Sequence, residues 1–488
     1  MKKHFGILLL TAALFTASCG ADATQPTDTD NGSDASVQET TQTEAVDSGI
    51  HDNLGDFDFG GETFHMLTRT YDLIHANMNS TEMNGEALND AIFVRNRALE
   101  QRFNIVFEET YYNFAQNTND YPRQFLLAGD NEYDLYTGRM INMFTFAAEG
   151  LFLPVEDIPH INPEQPWWNA SLYDVMQIAG SRRFIVGEFN LSSADFTHVL
   201  LFNKELVKEY GIGDLYALVR DGKWTFDAFS EFSKLAVRDL NGDQEMNEND
   251  QYGYTAASHQ ILTSFGVAAG AEMVVRDDAG LLDYIAPENE KVIEVFNRVY
   301  EMTWDNDVWH FNNIDDGTLE TEIFRNGGSL FGDSTCFHMT TVMRDAPIEF
   351  GVLPYPKWDE AQETYFSRIE GCELFGVSIH YPDTEMIGVV LEAMACASYN
   401  DLRPAYYDSA LRVKGTRDEE SVEMLDLIFA NRIFDYGDTL LVGELTTNAL
   451  KFAFRANQRN LVSTLTKCEK QCDALLELYN SGFAEQTK

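Results

Sequence analysis

Apolar positions recur along this chain at two spacings. Leu88, Ala91, Ile92 and Leu99, with Arg95 among them, lie three or four residues apart and predict one stripe on a helix over 86–103. Phe226, Phe229, Phe232 and Ala236 repeat the pattern after Thr225, a residue suited to cap a helix, and Asp227 sits in the first turn, where the helix dipole favours an anion. Helical spacing also marks residues 122–127, 291–303, 319–325 and 385–397, and the chain beyond 402 reads as mainly helical. Short apolar runs bounded by turn residues predict strands near 64–68, 104–108, 133–136, 183–186, 198–203, 328–331 and 367–378. Over the first folded stretch strand and helix alternate, which predicts a parallel sheet with ligands gathered at the carboxyl ends of its strands. Those ends carry Arg69 and Tyr71, then Tyr136 and Arg139. A second α/β unit begins at 198, where a strand runs directly into a helical pattern, and Pro354 and Pro356 mark an expected crossing between the two units.

Length sharpens this picture, because 488 residues with 44% hydrophobic content exceed one compact core and predict two lobes. A formal charge of −45 argues against nucleic acid or an anionic membrane surface as partner. Residues 1–18 read as an export signal: Lys2 and Lys3, an apolar run from Phe5 to Phe15, and small residues before Cys19. Small residues directly before a Cys look like a lipobox, with Cys19 acylated, and an ordinary secretory signal is the alternative. Residues 19–56, rich in Thr, Ser, Asp and Glu, form an expected flexible tether. The remaining Cys336, Cys372, Cys396, Cys468 and Cys472 are odd in number and are read as mostly free.

Candidate chemistry is sparse. There is no HExxH, no GxSxG and no phosphate-cradling Gly-rich loop. After the helix at 226 comes an oxygen-rich loop with Asp239, Asn241, Asp243, Glu245 and Asp250 in a twelve-residue frame, the alternation with which a loop holds a hard cation such as calcium. It departs from the calcium pattern at Gln244, where Gly is usual, and at Asp250, where Glu is usual; a solvated turn is the other reading. Trp167 and Trp168 either close a core or offer a flat face to a sugar ring.

Several stretches occur in a telling order: the Cys19 lipobox, Tyr133-Asp-Leu-Tyr-Thr-Gly138, Leu201-Phe-Asn-Lys204 leading to Trp224-Thr-Phe-Asp227, the loop 239–253, Phe324-Arg-Asn-Gly-Gly328 and Phe350-Gly-Val-Leu-Pro354. Together they resemble the bacterial extracellular solute-binding proteins of family 1, the maltose- and oligosaccharide-binding lipoproteins of ABC importers. The resemblance implies an α/β, two-lobed periplasmic-binding-protein-like fold of type II, with a ligand cleft between lobes joined by a hinge. By analogy residues 57–194 and 357–399 form lobe 1, and 195–356 and 400–488 form lobe 2. It further implies capture of a small solute, a sugar or oligosaccharide, for delivery to the transmembrane subunits of an ABC permease. A monomer is expected, with no catalysis, no required cofactor, at most a structural calcium ion, no nucleic-acid partner, and membrane contact through the lipid anchor alone. Tyr71, Trp168, Trp304 and Trp309 would stack on the sugar, and Arg69, Arg139, Asp333 and Glu370 would orient hydroxyls, with Tyr136 and Asn190 beside them. The rival readings are a secreted carbohydrate-processing enzyme and a ligand sensor on the same fold.

Overall fold

The alternation of strand and helix builds the first sheet. In the computed structural model, which describes residues 50–485 apart from 114–120, 169, 310–316, 408–417, 442, 444 and 446–448, the chain begins with β1 (Glu62–Thr70), β2 (Ile105–Asn113) and β3 (Leu135–Arg139). β1 pairs in parallel with both β2 and β3, as the alternation requires. Cys19 and the stretches read as leader and tether up to residue 49 lie outside the described residues. The helix Ala87–Phe103 between β1 and β2 buries Ile92, Leu99 and Phe103. It also buries Arg95, whose guanidinium donates to the Met78 carbonyl at 2.5 Å, Asn96 Oδ1 at 2.8 Å and Ser398 Oγ at 2.9 Å. With those acceptors in place the buried cation is hydrogen-bonded on several sides.

Further along come β4 (His198–Asn203), β5 (Tyr252–Thr255), the hairpin β6 (Val274–Arg276) and β7 (Leu282–Tyr284), β8 (Ser329–Thr335) and β9 (Phe350–Leu353). After these lie β10 (Ser367–Arg368), β11 (Glu373–Gly376) and β12 (Arg432–Ile433). The first sheet has the order β11-β3-β1-β2, and a second has the order β5-β8-β4-β9. The first is parallel except for β11, which runs antiparallel to β3; in the second, β4 is antiparallel to β8 and β9 while β5 runs parallel to β8. Two separate sheets result, the two-lobed arrangement expected. Thr225 caps the helix Phe226–Leu235 by accepting from the Ala228 amide, and that helix buries Phe226 and Phe229 beneath the second sheet.

The crossings between lobes differ from expectation. The run expected as one strand over 367–378 divides into β10 and β11, because β10 pairs with β12 while β11 joins the first sheet. Residues 357–365 pack beside the second sheet. Lys357 pairs with Thr225, the Phe226 amide donates to the Lys357 carbonyl at 2.8 Å, Trp358 packs 5.4 Å from the Phe226 ring and Tyr365 donates to the Val219 carbonyl. Those contacts keep residues 357–365 with the second lobe, and the passage runs from Arg368 to Glu373. The expected strand at 183–186 is reduced to an isolated bridge between Ile185 and Phe375.

The last helix, Leu461–Glu485, touches both lobes. Asn480 exchanges hydrogen bonds with both main-chain polar groups of Leu282 on β7, at 2.8 and 2.9 Å, as a neighbouring strand would. At Gly482 a Cβ would stand 2.3 Å from the Ala148 carbonyl, so only glycine lets this helix lie against Met140–Ala148 of the first lobe. Among the described residues no helix is long and apolar enough to cross a membrane. Cys336, Cys372, Cys396, Cys468 and Cys472 are all buried, and no disulfide joins any two of them.

Candidate functional site

The carboxyl ends of β1 and β3 and the start of β11 converge on one wall of a cleft. Arg69, next to last in β1, is buried against Glu373 in an ion pair, and its guanidinium lies 5.1 Å from the Tyr71 ring. Arg139, last in β3, is the cross-strand partner of Glu373 and is exposed. Tyr71 is 37% exposed and packs 6.2 Å from Phe196, the residue that leads into β4. Arg69, Tyr71, Arg139, Phe196, Glu370 and Glu373 thus surround a cavity of about 160 Å³.

A larger cavity of about 380 Å³ adjoins it, sharing Tyr71, Phe196 and Glu370. Its other walls come from the second lobe: His198, Gln260, Glu320, Asp333 and His338. His198 opens β4 and is almost wholly buried, with Nδ1 2.9 Å from Asp333 Oδ1 and Nε2 3.3 Å from Glu370 Oε2. The Tyr355 hydroxyl donates to the same Asp333 oxygen at 2.5 Å, and Gln260 donates to Glu370 Oε1 at 2.9 Å. Behind this floor Arg368 of β10 forms a two-point ion pair with Asp438, at 2.6 and 2.9 Å, and donates to Gln260 and Ser264.

Electrostatics fix the protonation of the floor. Burial would lower the His198 pKa, but Asp333 and the bond to Glu370 outweigh burial and the opposing charge of Arg368, raising it to about 9. Burial would raise Glu370, yet the hydrogen bond from His198 and the charges of Arg368 and His198 hold it well below the usual carboxylate range. At neutral pH the floor is therefore an imidazolium between two carboxylates. His338 is the opposite case: burial lowers it, so it is neutral there.

The structure brings together Arg69, Tyr71, Arg139, Asp333 and Glu370, and leaves the other expected residues elsewhere. Trp168 is buried in the first core, its Nε1 donating to Glu392 at 2.7 Å and its ring edge-on to Phe189. Trp304 and Trp309 pack edge-to-face at 5.7 Å and both meet Phe454, with Trp309 Nε1 donating to the Ala256 carbonyl at 2.8 Å. Tyr136 points into the core beside Tyr133, its hydroxyl donating to the Asp130 carbonyl. Asn190 accepts from the Ser192 amide at 2.9 Å and so shapes the entry to the first crossing. Burying a large ring outweighed any gain from lining the cleft in each aromatic case. Composition and periodicity missed His198, Gln260, Glu373 and Asp438; a charged or imidazole side chain at the very end of an apolar strand was the signal available for His198 and Glu373.

The oxygen-rich loop lies apart from these cavities. Asp239 accepts from the amides of Gly242 at 2.6 Å and Gln244 at 2.8 Å, and these bonds hold its pKa below the usual range. Asn241 accepts from Asp243 and Asp243 from Glu245, each at 2.8 Å. Asp250, nearly fully buried, accepts from the Leu240 and Asn247 amides, each at 2.9 Å. Backbone donors thus engage the oxygens of Asp239, Asn241, Asp243 and Asp250, and among the described residues no three His, Cys, Asp or Glu side chains are grouped to hold a metal ion.

No family model matches the chain, and no curated protein matches it in sequence. Solved structures do share its fold. The ABC substrate-binding protein Lmo0181 from Listeria monocytogenes, in complex with cycloalternan, aligns with a TM-score of 0.55 at 14% identity over 86% of this chain and 99% of that chain. A cyclo/maltodextrin-binding protein complexed with maltotetraose aligns with a TM-score of 0.58 at 15% identity over 84% and 97%. The maltose-maltodextrin binding protein of Alicyclobacillus acidocaldarius gives 0.52 at 12% identity over 86% and 100%. The chain therefore has the two-lobed α/β fold of substrate-binding proteins, as the motif order implied.

His198 supplies a direct check on the floor. Its pKa is raised from 6.5 to about 9, so its contribution to stability is complete below 6.5 and is lost as pH climbs through 9. Urea unfolding should show stability falling by roughly 2–3 kcal/mol over that interval, with the slope removed in His198→Gln. Parallel slopes in the two proteins would contradict the charged floor.

Proposed function

We propose that this chain is an extracytoplasmic solute-binding protein, held to the membrane by a lipid on Cys19, which captures a carbohydrate between its lobes and presents it to an ABC-type permease. One observation carries the reading: two adjoining cavities of about 380 and 160 Å³ open where the lobes meet, and hydrogen-bonding side chains from both lobes line them. Their sizes bracket the lower end of small-ligand sites, roughly 300 Å³ upward. Support also comes from fold relatives in complex with cycloalternan and maltotetraose.

In this reading the chain performs no chemistry on its solute. Arg69, Arg139 and Glu373 on the first lobe and Asp333, Gln260 and Glu370 around the larger cavity hydrogen-bond hydroxyls, while Tyr71 and Phe196 cover an apolar ring face. A solute that touches both walls binds the closed form better than the open one, and that difference in affinity drives closure. In this reading the lobes are 57–194 with 373–399, and 195–368 with 400–488, a division that the pairing of β10 with β12 and of β11 with β3 supports. The loop at Asp239–Asp250 would stiffen the second lobe, with or without calcium, and takes no part in holding the solute.

Incubation with mixed oligosaccharide pools tests capture against turnover. Binding in a one-to-one ratio with the sugars recovered unchanged is expected; formation of any new product would overturn the reading. Replacing Cys19 by Ala should move the protein from the membrane fraction to the soluble one, and unchanged fractionation would refute the anchor.

A further inference from the structure

The cleft does not end at the larger cavity. A third cavity, of about 570 Å³, lies beyond it, and the same two stretches of chain wall both. On one side is the segment that follows β1: Tyr71 and Leu73 line the larger cavity, and His75 and Asn77 line the third. On the other side are the helix Cys336–Thr340 and the turn after it, where His338 and Val342 line the larger cavity and Thr341 and Asp345 line the third.

Burial explains how the first of these stretches is held open along its length. Ile74, Ala76, Met78 and Ser80 are buried, whereas His75, Asn77 and Asn79 between them are partly exposed. Successive side chains of an extended chain point to opposite sides, so the buried set anchors the segment and leaves His75 and Asn77 on its open face. At the boundary between the cavities His75 packs edge-on to Phe337, with ring centroids 5.4 Å apart, and both residues are partly exposed. Rings so placed give an apolar face of the kind on which a sugar stacks. Past that boundary Leu88 and Ile92, on the helix Ala87–Phe103, supply an apolar floor. Polar groups stand around it. The Asn77 carboxamide has two donors and an acceptor to offer, and the Thr341 hydroxyl, which donates to the Phe337 carbonyl at 2.7 Å, keeps its acceptor side. An apolar floor with a few polar groups at its edge suits a polyhydroxylated ring.

We propose that the three cavities form one continuous groove, and that the captured solute is a linear oligosaccharide whose chain runs from the smaller cavity through the larger one and past His75 into the third. This rests on the carbohydrate reading and deepens it. The first rings meet Arg69, Arg139 and Tyr71, and the farther rings lie on Leu88 and Ile92 and bond to Asn77, Thr341 and Asp345. A short sugar leaves the third cavity to water, so affinity grows with chain length.

Calorimetric titration of the purified full-length chain with the malto- and cello-oligosaccharide series, from disaccharide to hexasaccharide, tests this. In a series that binds, the hexasaccharide should bind at least about tenfold more tightly than the disaccharide, or about 1.4 kcal/mol from the added rings. Asn77→Trp, which fills the third cavity, should bring that ratio close to one. Thr341→Trp blocks the cavity from the opposite wall at an exposed position, and keeps the test valid if the first variant fails to fold. Equal affinity at every length in a series that binds overturns the groove and leaves the carbohydrate reading standing. A gain with length that persists in both variants overturns the third cavity as its source. Binding of no member of either series overturns both the groove and the carbohydrate reading.

Discussion

The ion pair between Arg368 and Asp438 holds together the parts on which the cleft depends. Arg368 lies on the strand that leaves the second lobe, and Asp438 lies in the helical C-terminal third. The same guanidinium reaches Gln260 and Ser264 on the helix Ser258–Ala268 and stands 3.1 Å from His198 at the start of β4. Four stretches distant in sequence therefore meet at one buried charge. Removing one partner of such a pair typically costs about 3–5 kcal/mol, because the other charge is left without compensation in a poorly solvated place. The hydrogen bonds from Arg368 also fix Gln260, which holds Glu370. The geometry of the cavity floor is thus set by a pair that stands behind it.

That arrangement separates two tasks. The crossings are made by short main-chain pairings: two residues each in β10 and β12, and the single bridge between Thr197 and Ile369. The cleft needs side chains held in one geometry, and the imidazolium between two carboxylates provides it through opposed charges in a region where water screens weakly. Tyr71 is the counterpart on the first lobe. It is partly exposed and placed between a guanidinium and Phe196.

Much of the scaffold was legible in the chain itself. Helical spacing located Ala87–Phe103, Phe226–Leu235 and Glu385–Ala397 to within a residue or two, since each has a wide apolar face over several turns. Parallel pairing of β1, β2 and β3 followed from alternation. The crossings were not legible: β10 and β11 share one apolar run, and only their partners, Arg432–Ile433 and Leu135–Arg139, divide it. Arg69 and Arg139 drew notice because strand ends gather at clefts in such folds, and both line the smaller cavity. Trp168, Trp304 and Trp309 misled, because an indole that stacks on a sugar and one that fills a core look alike in sequence. Glu373 and Asp438 were invisible for a different reason. Their partners Arg69 and Arg368 are 304 and 70 positions away, and local pattern contains no information about such pairs.

The central claim is that solute held by both walls draws the lobes together. Spin labels placed on Val106→Cys in β2 and Leu240→Cys in the second-lobe loop, both exposed positions, report that movement by pulsed dipolar spectroscopy, because cysteines 336 to 472 are buried. The account predicts that a bound carbohydrate shifts the label-to-label distance distribution toward a single, displaced population. A distribution unchanged at saturating solute would contradict it.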